Sequence, residues 1–324
     1  MRRERVRASA PGKVILWGEH FVVHGSTAIV TAIDCRVDVV CSLVGEGLSI
    51  RSGRAVCSKR DGVVRCSSSS AWRTLHPLIG LVESILSELG GAAGVEVVIS
   101  SDMPRGAGLG SSAAVSAATA KALSTLLGHE LQPSDVKRWA MKAEQEIHGR
   151  PSGIDPHITT VGGTLAYRRP DTWESIELPS SLRLLVVDTG ERRSTGKLVE
   201  KVSRFASENR EIFEELKALY DELVKEALEA LKALDLKRMG ELMRLNQLLL
   251  RAVGVSTKDI ERAVEVLQRS GAYGAKLTGA GGGGCVIAVA KDDELEKICE
   301  RTSRAFPRVW VARCSEPGVR VEEG

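Results

Sequence analysis

Hydrophobic and polar positions follow strand-like spacing early in each half of the chain and helical spacing after it. In the first half, stretches rich in Val and Ile predict strands at 6–10, 28–44, 48–66 (as a hairpin) and 95–100. Apolar residues then recur at helical spacing in a segment that ends at Leu89 and in segments 112–127 and 133–147. We interpret 148–163 as a loop that leads to a strand at 164–168.

The second half repeats this order with longer helices. Strands are predicted at 182–187 and 308–313, and on both sides of a glycine run within 272–290. Helices are predicted over 197–252 with a break near 233–236, over 258–270 with Thr257 as the cap, and over 292–305. Strands followed by helices in each half indicate an α+β fold. We place the domain boundary within 170–182, which gives domains 1–178 and 179–324.

Composition and charge narrow the function classes. The chain has 324 residues, 43% hydrophobic and 27% charged, which is ordinary for globular proteins and long enough for two domains. A net charge of +3 and an aromatic content of 4% argue against a nucleic-acid-binding surface. No apolar run is long enough to span a membrane, and the start "MRRERVRASAPGK" lacks a signal-peptide core. We therefore expect a cytoplasmic protein without nucleic-acid or membrane partners.

The seven cysteines are too scattered for a disulfide scaffold, but one pair is suggestive. In "CSKRDGVVRC" the dipeptide Asp61-Gly62 is a strong signal for a two-residue hairpin turn. Counting outward from that turn places Cys57 opposite Cys66 at a position where the strands approach closely. Disulfides are rare in the cytosol outside hyperthermophiles, although the scarcity of asparagine is consistent with a thermophilic source. The hairpin therefore predicts that these cysteines are neighbours and leaves open whether they are bonded.

Residues 102–123, "DMPRGAGLGSSAAVSAATAKAL", place three glycines and two serines directly before a helix. The stretch fits neither the Walker loop, which needs a Lys after its last glycine, nor the G-x-G-x-x-G dinucleotide fingerprint. It still predicts an anion site, because glycines permit close backbone approach and a helix start carries free N–H groups. Ser111 or Ser112 can cap that helix. The alternative is a plain glycine linker before a buried helix.

Two further segments bring polar side chains into apolar surroundings. In 9–25, Lys13 and the pair Glu19-His20 interrupt an apolar run, which makes them candidates for a functional site. The alternative is a structural role, with Lys13 at a solvated strand end and His20 as a hydrogen-bonded histidine in the core. In 143–157, Glu144 precedes a helix end and Asp155 follows a Pro/Gly turn. That order can bring one carboxylate to a metal and the other to a substrate hydroxyl, or it can leave both exposed at a capped helix end.

Three segments together carry a family resemblance. The stretches "APGKVILWGEH", "PRGAGLGSSAAVS" and "KLTGAGGGGCVIAV" resemble, in order and spacing, the three signature motifs of the GHMP small-molecule kinases. Within this superfamily the chain looks most like the mevalonate kinases, because "GEHFVVHG" and "EIHGRPSGID" are similar to their sequences, whereas galactokinases carry Asp-Tyr after Gly-Glu-His. Pro156 departs from the Asn common in the family, and Trp17 from a polar residue frequent in animal enzymes.

The resemblance implies an N-terminal domain like domain 2 of ribosomal protein S5, a ferredoxin-like C-terminal domain and an ATP site with Mg²⁺ in the cleft between them. It implies mevalonate as the acceptor, phosphorylated on its 5-hydroxyl, and a homodimer. It makes Asp155 the catalytic base, Lys13 its cationic neighbour, and Ser112 and Glu144 the metal ligands. The implied ATP-phosphate contacts are Pro104, Arg105, Gly106, Ala107, Gly108, Leu109, Gly110, Ser111 and Ser112. The implied substrate contacts are Glu19, His20, Arg193, Thr195, Gly279, Ala280 and Gly281.

Other functions stay open on the sequence alone. The same fold could phosphorylate phosphomevalonate, a sugar or the 3-hydroxyl of mevalonate, and Arg192 beside Arg193 keeps a phosphorylated acceptor in consideration. A non-catalytic ligand sensor should have lost Lys13, Glu144 or Asp155, and the chain retains all three. An S5-like fold could suggest RNA binding, but no basic stripe with interleaved aromatic residues is present.

Overall fold

The structure is a computed structural model that describes residues 4–91, 94–104, 106–148, 152–179, 182–192, 195–306 and 308–323. Its strands are β1 Arg5–Trp17, β2 Ala28–Val44, β3 Gly47–Ser52, β4 Ala55–Arg60, β5 Val63–Cys66, β6 Gly94–Ser101, β7 Thr164–Arg168, β8 Thr172–Ser175, β9 Arg183–Asp188, β10 Gly274–Leu277, β11 Cys285–Val289, β12 Arg308–Arg313 and β13 Arg320–Glu322. Its helices are α1 Ser69–Leu89, α2 Ser111–Leu126, α3 Pro133–His148, α4 Ile154–Val161, α5 Thr195–Glu208, α6 Arg210–Lys232, α7 Leu236–Ala252, α8 Lys258–Ser270 and α9 Leu295–Ser303.

The strands form two sheets, which confirms the α+β fold. The first sheet runs β13-β1-β2-β6-β3-β4-β5, with β7 also paired to β2 and β8 to β7. The second runs β10-β11-β9-β12, and all its pairs are antiparallel. Helix α2, rich in buried alanines, packs against β1 and β2 at the centre of the first sheet. Helices α7 and α8 cover the second sheet at β10 and β11.

Strand β1 is much longer than the predicted strand at 6–10. Pro11 and Gly12 read as strand breakers, yet β1 continues through them to Trp17 in antiparallel pairing with β2. The register shifts between Pro11 and Gly12, so a bulge accommodates the residue that cannot donate a ladder hydrogen bond. This bulge carries the chain on to Lys13, whose side chain is part of the site described below.

One further prediction was wrong, and two short strands were missed. Residues interpreted as a loop fold into helix α4, with Gly153 in the left-handed region at its N-terminal end. The short edge strands β8 and β13 were not predicted, because each is too short to show alternation. β13 pairs with β1 of the first sheet. The domain division at 178/179 stays a prediction.

The cysteine hairpin has the predicted register. Arg60 pairs with Val63 across the turn and Cys57 with Cys66, and Asp61 and Gly62 have φ of 50° and 76°, as a tight hairpin turn requires. The structure joins Cys57 and Cys66 in a disulfide with a Cα–Cα distance of 4.1 Å. This cross-link ties β4 to β5 directly before the serines that open α1. Among the described residues, every helix is too short or too polar to cross a lipid bilayer.

Candidate active site

A cation and a carboxylate from distant parts of the sequence meet beneath the first glycine-rich loop. The Nζ atom of Lys13, on β1, lies 3.1 Å from Oδ1 of Asp155, in the first turn of α4. The Lys13 side chain is only 4% exposed, whereas that of Asp155 is 30% exposed and so remains accessible to a ligand. A partly exposed carboxylate held by a buried ammonium is suited to accept a proton from a bound hydroxyl.

Gly110 is the residue that lets this pair approach the loop. Its φ is 74°, and a Cβ atom at this position would lie 2.9 Å from Cγ of Lys13 and 3.6 Å from Oδ2 of Asp155. A side chain here would therefore collide with the stem of Lys13, which cannot move freely because it is buried. The peptide N–H of Lys13 also donates to the carbonyl of Leu109 at 2.9 Å, which fixes β1 to the loop.

The loop itself has the geometry of an anion site. Gly106, Gly108 and Gly110 all have positive φ, which directs the chain into the N-terminal end of α2. Gly110 is the N-cap of α2, and no side chain caps it, so the predicted capping by Ser111 or Ser112 was wrong. A helix start capped by glycine keeps its first N–H groups available to an anion. The hydroxyls of both serines are then not committed to the cap.

The glycine run of the third motif packs against the back of this loop. A Cβ at Gly279 would lie 3.4 Å from the carbonyl oxygen of Gly108, and one at Gly284 would lie 2.9 Å from that of Ala107. Thr278 links the run to β1, because its Oγ1 accepts from the Ile15 N–H at 2.8 Å and donates to the Ile15 carbonyl at 3.0 Å. The two glycine segments and β1 are thus all in direct contact with one another.

The first motif continues into a buried polar cluster. His20 has φ of 63°, and its Nε2 lies 2.8 Å from the carbonyl oxygen of Ala280. Since a carbonyl can only accept, Nε2 carries the proton and Nδ1 is left as an acceptor. Burial lowers the pKa of His20 below its ordinary value, so the imidazole is neutral at physiological pH.

Glu19 forms an ion pair with Lys276 on β10, and neither side chain has any exposed surface. Lys276 also donates to the Leu277 carbonyl at 2.7 Å. Burial raises the pKa of Glu19 and lowers that of Lys276, while the attraction between the two groups opposes both shifts. The sequence analysis did not single out Lys276. The available signal was a charged residue in the apolar strand directly before the glycine run of the third motif. The pair directly connects the first and third motifs.

Glu144 and Ser112 have the chemistry of a magnesium site. Glu144 is buried at 4% exposure on α3, which packs against α2, and Ser112 lies in the first turn of α2. A carboxylate and a hydroxyl are oxygen donors of the kind that Mg²⁺ prefers, and a magnesium ion in a phosphoryl-transfer site completes its coordination with phosphate oxygens and water. The donor set therefore fits the metal that the resemblance implies.

The remaining predicted residues lie partly outside the described structure. Arg105 and Arg193 are not among the described residues, and of Thr195 the structure gives only its place at the start of α5. Pro104, Ala107 and Leu109 are buried within the loop. Gly281 packs against the Val255 carbonyl, where a Cβ would lie 2.5 Å away, so this glycine supports the run from behind.

The first turn of α4 is held by the β7–β8 hairpin. Tyr167 donates its hydroxyl to the carbonyl of Ser152 at 3.1 Å or to that of Pro170 at 3.2 Å. His157, two residues after Asp155, stacks on Trp173 with ring centroids 3.7 Å apart. Burial, reinforced by the nearby Lys137 cation, lowers the pKa of His157 to about 4. The hairpin thus fixes the helix that presents the candidate base.

Family models match both halves of the chain: the GHMP kinases N terminal domain over 77–163 and the GHMP kinases C terminal model over 227–308. The chain therefore belongs to the GHMP kinases, a family of ATP-using enzymes. It is 38% identical to the mevalonate kinase of Aeropyrum pernix over 99% of both chains, and 38% identical to that of Thermococcus sibiricus over 98% of this chain and 99% of the other. Its structure resembles that of L. major mevalonate kinase in complex with R-mevalonate, with a TM-score of 0.85, 30% identity and 98% of each chain covered.

Proposed function

We propose that this protein transfers the γ-phosphoryl group of MgATP to the 5-hydroxyl of mevalonate, giving 5-phosphomevalonate and ADP. The observation that carries the proposal is the contact of Lys13 with Asp155 directly beneath Gly110, at the N-terminal end of α2. It supports the proposal because Asp155 would then accept a proton beside the N–H groups that would bind the ATP phosphates. The similarity to mevalonate kinases over nearly the whole chain supports mevalonate as the acceptor.

Phosphoryl transfer depends mainly on positioning the reactants and on stabilising charge at the phosphoryl oxygens. The N–H groups at the start of α2, the loop backbone from Pro104 to Gly110 and the hydroxyl of Ser111 would hold the ATP phosphates. Ser112 and Glu144 would hold Mg²⁺, which neutralises phosphate charge when bound. Asp155 would accept the proton of the attacking hydroxyl, and the ammonium of Lys13 would offset the negative charge that develops beside it.

The acceptor side is proposed on His20, Arg193 and Thr195, with Glu19 and the backbone of Gly279–Gly281 supporting them. Because Nδ1 of His20 is an acceptor in a neutral ring, it suits a substrate hydroxyl better than a carboxylate. The forked guanidinium of Arg193 is then the better partner for the mevalonate carboxylate. Glu19 would act indirectly, since its side chain is buried against Lys276.

A phosphorylated acceptor such as phosphomevalonate is the second candidate. The sequence feature that suggested it was Arg192 beside Arg193. Both terminal nitrogens of Arg192 donate to Asp188, each at 2.7 Å, so this guanidinium is engaged within the protein. That engagement favours mevalonate over phosphomevalonate. The retention of Lys13, Glu144 and Asp155 likewise favours an enzyme over a non-catalytic sensor.

An acceptor panel tests the proposal. The purified protein is incubated with MgATP and mevalonate, phosphomevalonate, galactose or homoserine; ADP release is recorded and the phosphate position is determined by NMR. Turnover on mevalonate with phosphate on the 5-hydroxyl is expected. Turnover on another acceptor alone would overturn the acceptor assignment, and no turnover on any of the four would favour the sensor. The Asp155→Asn variant controls for contaminating kinase activity.

We further propose a cytoplasmic homodimer, as the family resemblance implies. Light scattering coupled to size-exclusion chromatography measures its mass against the 34.8 kDa of one chain. A monomer mass across the micromolar range would contradict the dimer.

A further inference from the structure

The segment that follows β9 lies between the two glycine-rich loops. The N–H of Thr189 donates to the Gly284 carbonyl at 3.0 Å, and the N–H of Gly284 donates to the Glu191 carbonyl at 3.0 Å. A Cβ at Gly283 would lie 2.6 Å from Cβ of Glu191. Backbone hydrogen bonds therefore fix residues 188–192 to the third motif. Any side chain of this segment has a defined position relative to the first glycine-rich loop, residues 104–110, which is called the phosphate loop below.

Arg192 is the side chain that reaches the phosphate loop from this segment. Its Cδ lies 3.2 Å from the position that a Cβ of Gly106 would occupy, so its stem contacts the first turn of the loop. Its Nη1 and Nη2 form a two-pronged ion pair with the carboxylate of Asp188, each bond being 2.7 Å long, and Nη1 also donates to the Glu191 carbonyl at 2.9 Å. A paired fork of this kind fixes orientation as well as charge.

Asp188 is a rigid anchor for that fork. Its side chain is 6% exposed at the end of β9, where its Cα is paired with Cys285 on one side and Arg308 on the other. Burial opposes ionisation of Asp188, but hydrogen bonds from Arg192 and from the Gly190 N–H hold its pKa below the ordinary range. Arg308 in turn donates to the Asp102 carbonyl at 2.7 Å, just before the loop begins. The end of β9 and the start of β12, which lie side by side, thus hold the loop segment at Gly106 and at Asp102.

We propose that Arg192, clamped by Asp188, is a positioning residue for the nucleotide. It supports the turn at Gly106 so that the loop N–H groups keep the geometry that binds the ATP phosphates. This role rests on the proposed function, in which ATP is the phosphoryl donor. It differs from an acceptor-site role, since the fork is engaged by Asp188 and the contact is with the nucleotide loop.

The test compares Arg192→Ala and Asp188→Asn with Arg183→Ala. Arg183 lies at the other end of β9 and pairs with Glu296 on the surface, so it is a matched control distant from the loop. Binding of a fluorescent ATP analogue is titrated without acceptor, and KM for ATP and for mevalonate is measured separately. For Arg192→Ala we expect roughly tenfold weaker analogue binding and higher KM for ATP, with kcat within about threefold and KM for mevalonate unchanged.

Asp188→Asn should shift ATP affinity in the same direction, because Arg192 loses its charged anchor. Arg192→Lys should restore part of the affinity, since it keeps the stem but not the fork. Unchanged analogue binding in Arg192→Ala would overturn the proposal, as would a rise in KM for mevalonate alone. A lower melting temperature with unchanged ATP affinity would indicate a merely structural role and would also overturn it. If the wild-type protein bound no nucleotide, the proposed function itself would fail, and this role with it.

Discussion

At the scale of single residues, the candidate site depends on Gly110 as much as on its charged groups. Lys13 is buried because β1 carries it beneath the loop, and Asp155 reaches it because α4 begins at the right place. Between them and the loop there is room for a hydrogen atom at Gly110 but not for a methyl group. The sequence alone indicated glycine for phosphate approach, and the structure adds that this glycine also makes room for the Lys13–Asp155 ion pair.

Replacing Gly110 with alanine should therefore damage catalysis and stability together. The new Cβ would press on the Lys13 stem at 2.9 Å and would hold a non-glycine residue at φ 74°, which costs about 1–3 kcal/mol. We expect kcat to fall at least about tenfold, because a 1 Å displacement at a reacting centre can cost more than that. Gly128→Ala is the control: its φ is 87°, but nothing lies within 4 Å. It should show the stability loss and keep kcat; equal kcat losses in both variants would contradict the explanation.

Replacing Asp155 with asparagine removes the proposed proton acceptor and keeps the side-chain shape. General-base catalysis contributes about 10²–10⁴-fold, so we expect kcat to fall by about that factor while KM for mevalonate changes little. Steady-state kinetics measure both constants, and binding of an ATP analogue confirms an intact nucleotide site. Asp259→Asn, also in the first turn of a helix, should leave kcat unchanged. Near-normal kcat in Asp155→Asn would refute the base assignment.

At the scale of elements, periodicity predicted the long helices and strands β2, β6 and β9 well. Helix α8 matches its predicted bounds, with Thr257 accepting from the Ile260 N–H as its cap. Helix α4 was missed because Gly153 and Pro156 read as loop residues, although proline is tolerated in the first turn of a helix. The contact between Lys13 and Asp155 could be proposed only through the family resemblance, because no local pattern links residues so far apart in sequence.

Helix α4 gives the protein a pH-dependent stability through His157. Its pKa is about 4 in the folded protein and about 6.5 in an unfolded chain, so the unfolded chain binds the extra proton first. The stability contributed by neutral His157 is complete above pH 6.5 and is lost as the pH falls towards 4.

His157→Phe keeps a ring against Trp173 and cannot titrate, so its free energy of unfolding should fall less over this range than that of the wild type. Denaturant unfolding between pH 4 and 7 measures the difference, and the exposed His129→Gln is the control. Parallel pH curves for wild type and His157→Phe would contradict the prediction.

At the scale of the whole molecule, the two sheets meet through contacts that the first and third motifs supply. Thr278 bonds to the Ile15 backbone, His20 to the Ala280 carbonyl, and Glu19 to Lys276. Phe21 adds an apolar contact, since it stacks on Tyr220 of α6 with centroids 4.6 Å apart. Residues of the first and third motifs thus join the two sheets. For Glu19 this means that a loss of activity on mutation could come from weaker joining of the two sheets as well as from the acceptor-site role proposed above.

The buried pair of Glu19 and Lys276 allows these two effects to be separated. Removing one partner leaves an uncompensated buried charge, which costs about 3–5 kcal/mol, so Glu19→Gln and Lys276→Met should each lower the free energy of unfolding by that order. The double variant Glu19→Gln with Lys276→Met removes both charges and should recover most of the loss. Denaturant unfolding measures all three against Glu222→Gln, which breaks an exposed pair with Lys225 and should cost at most about 1 kcal/mol. Losses that simply add in the double variant would refute the coupling.

The kinetics of the double variant then separate the two roles of Glu19. If the double variant is stable but has a raised KM for mevalonate, Glu19 contributes to acceptor binding beyond its part in joining the sheets. If kcat and KM recover together with stability, the role of Glu19 is to hold the two sheets together.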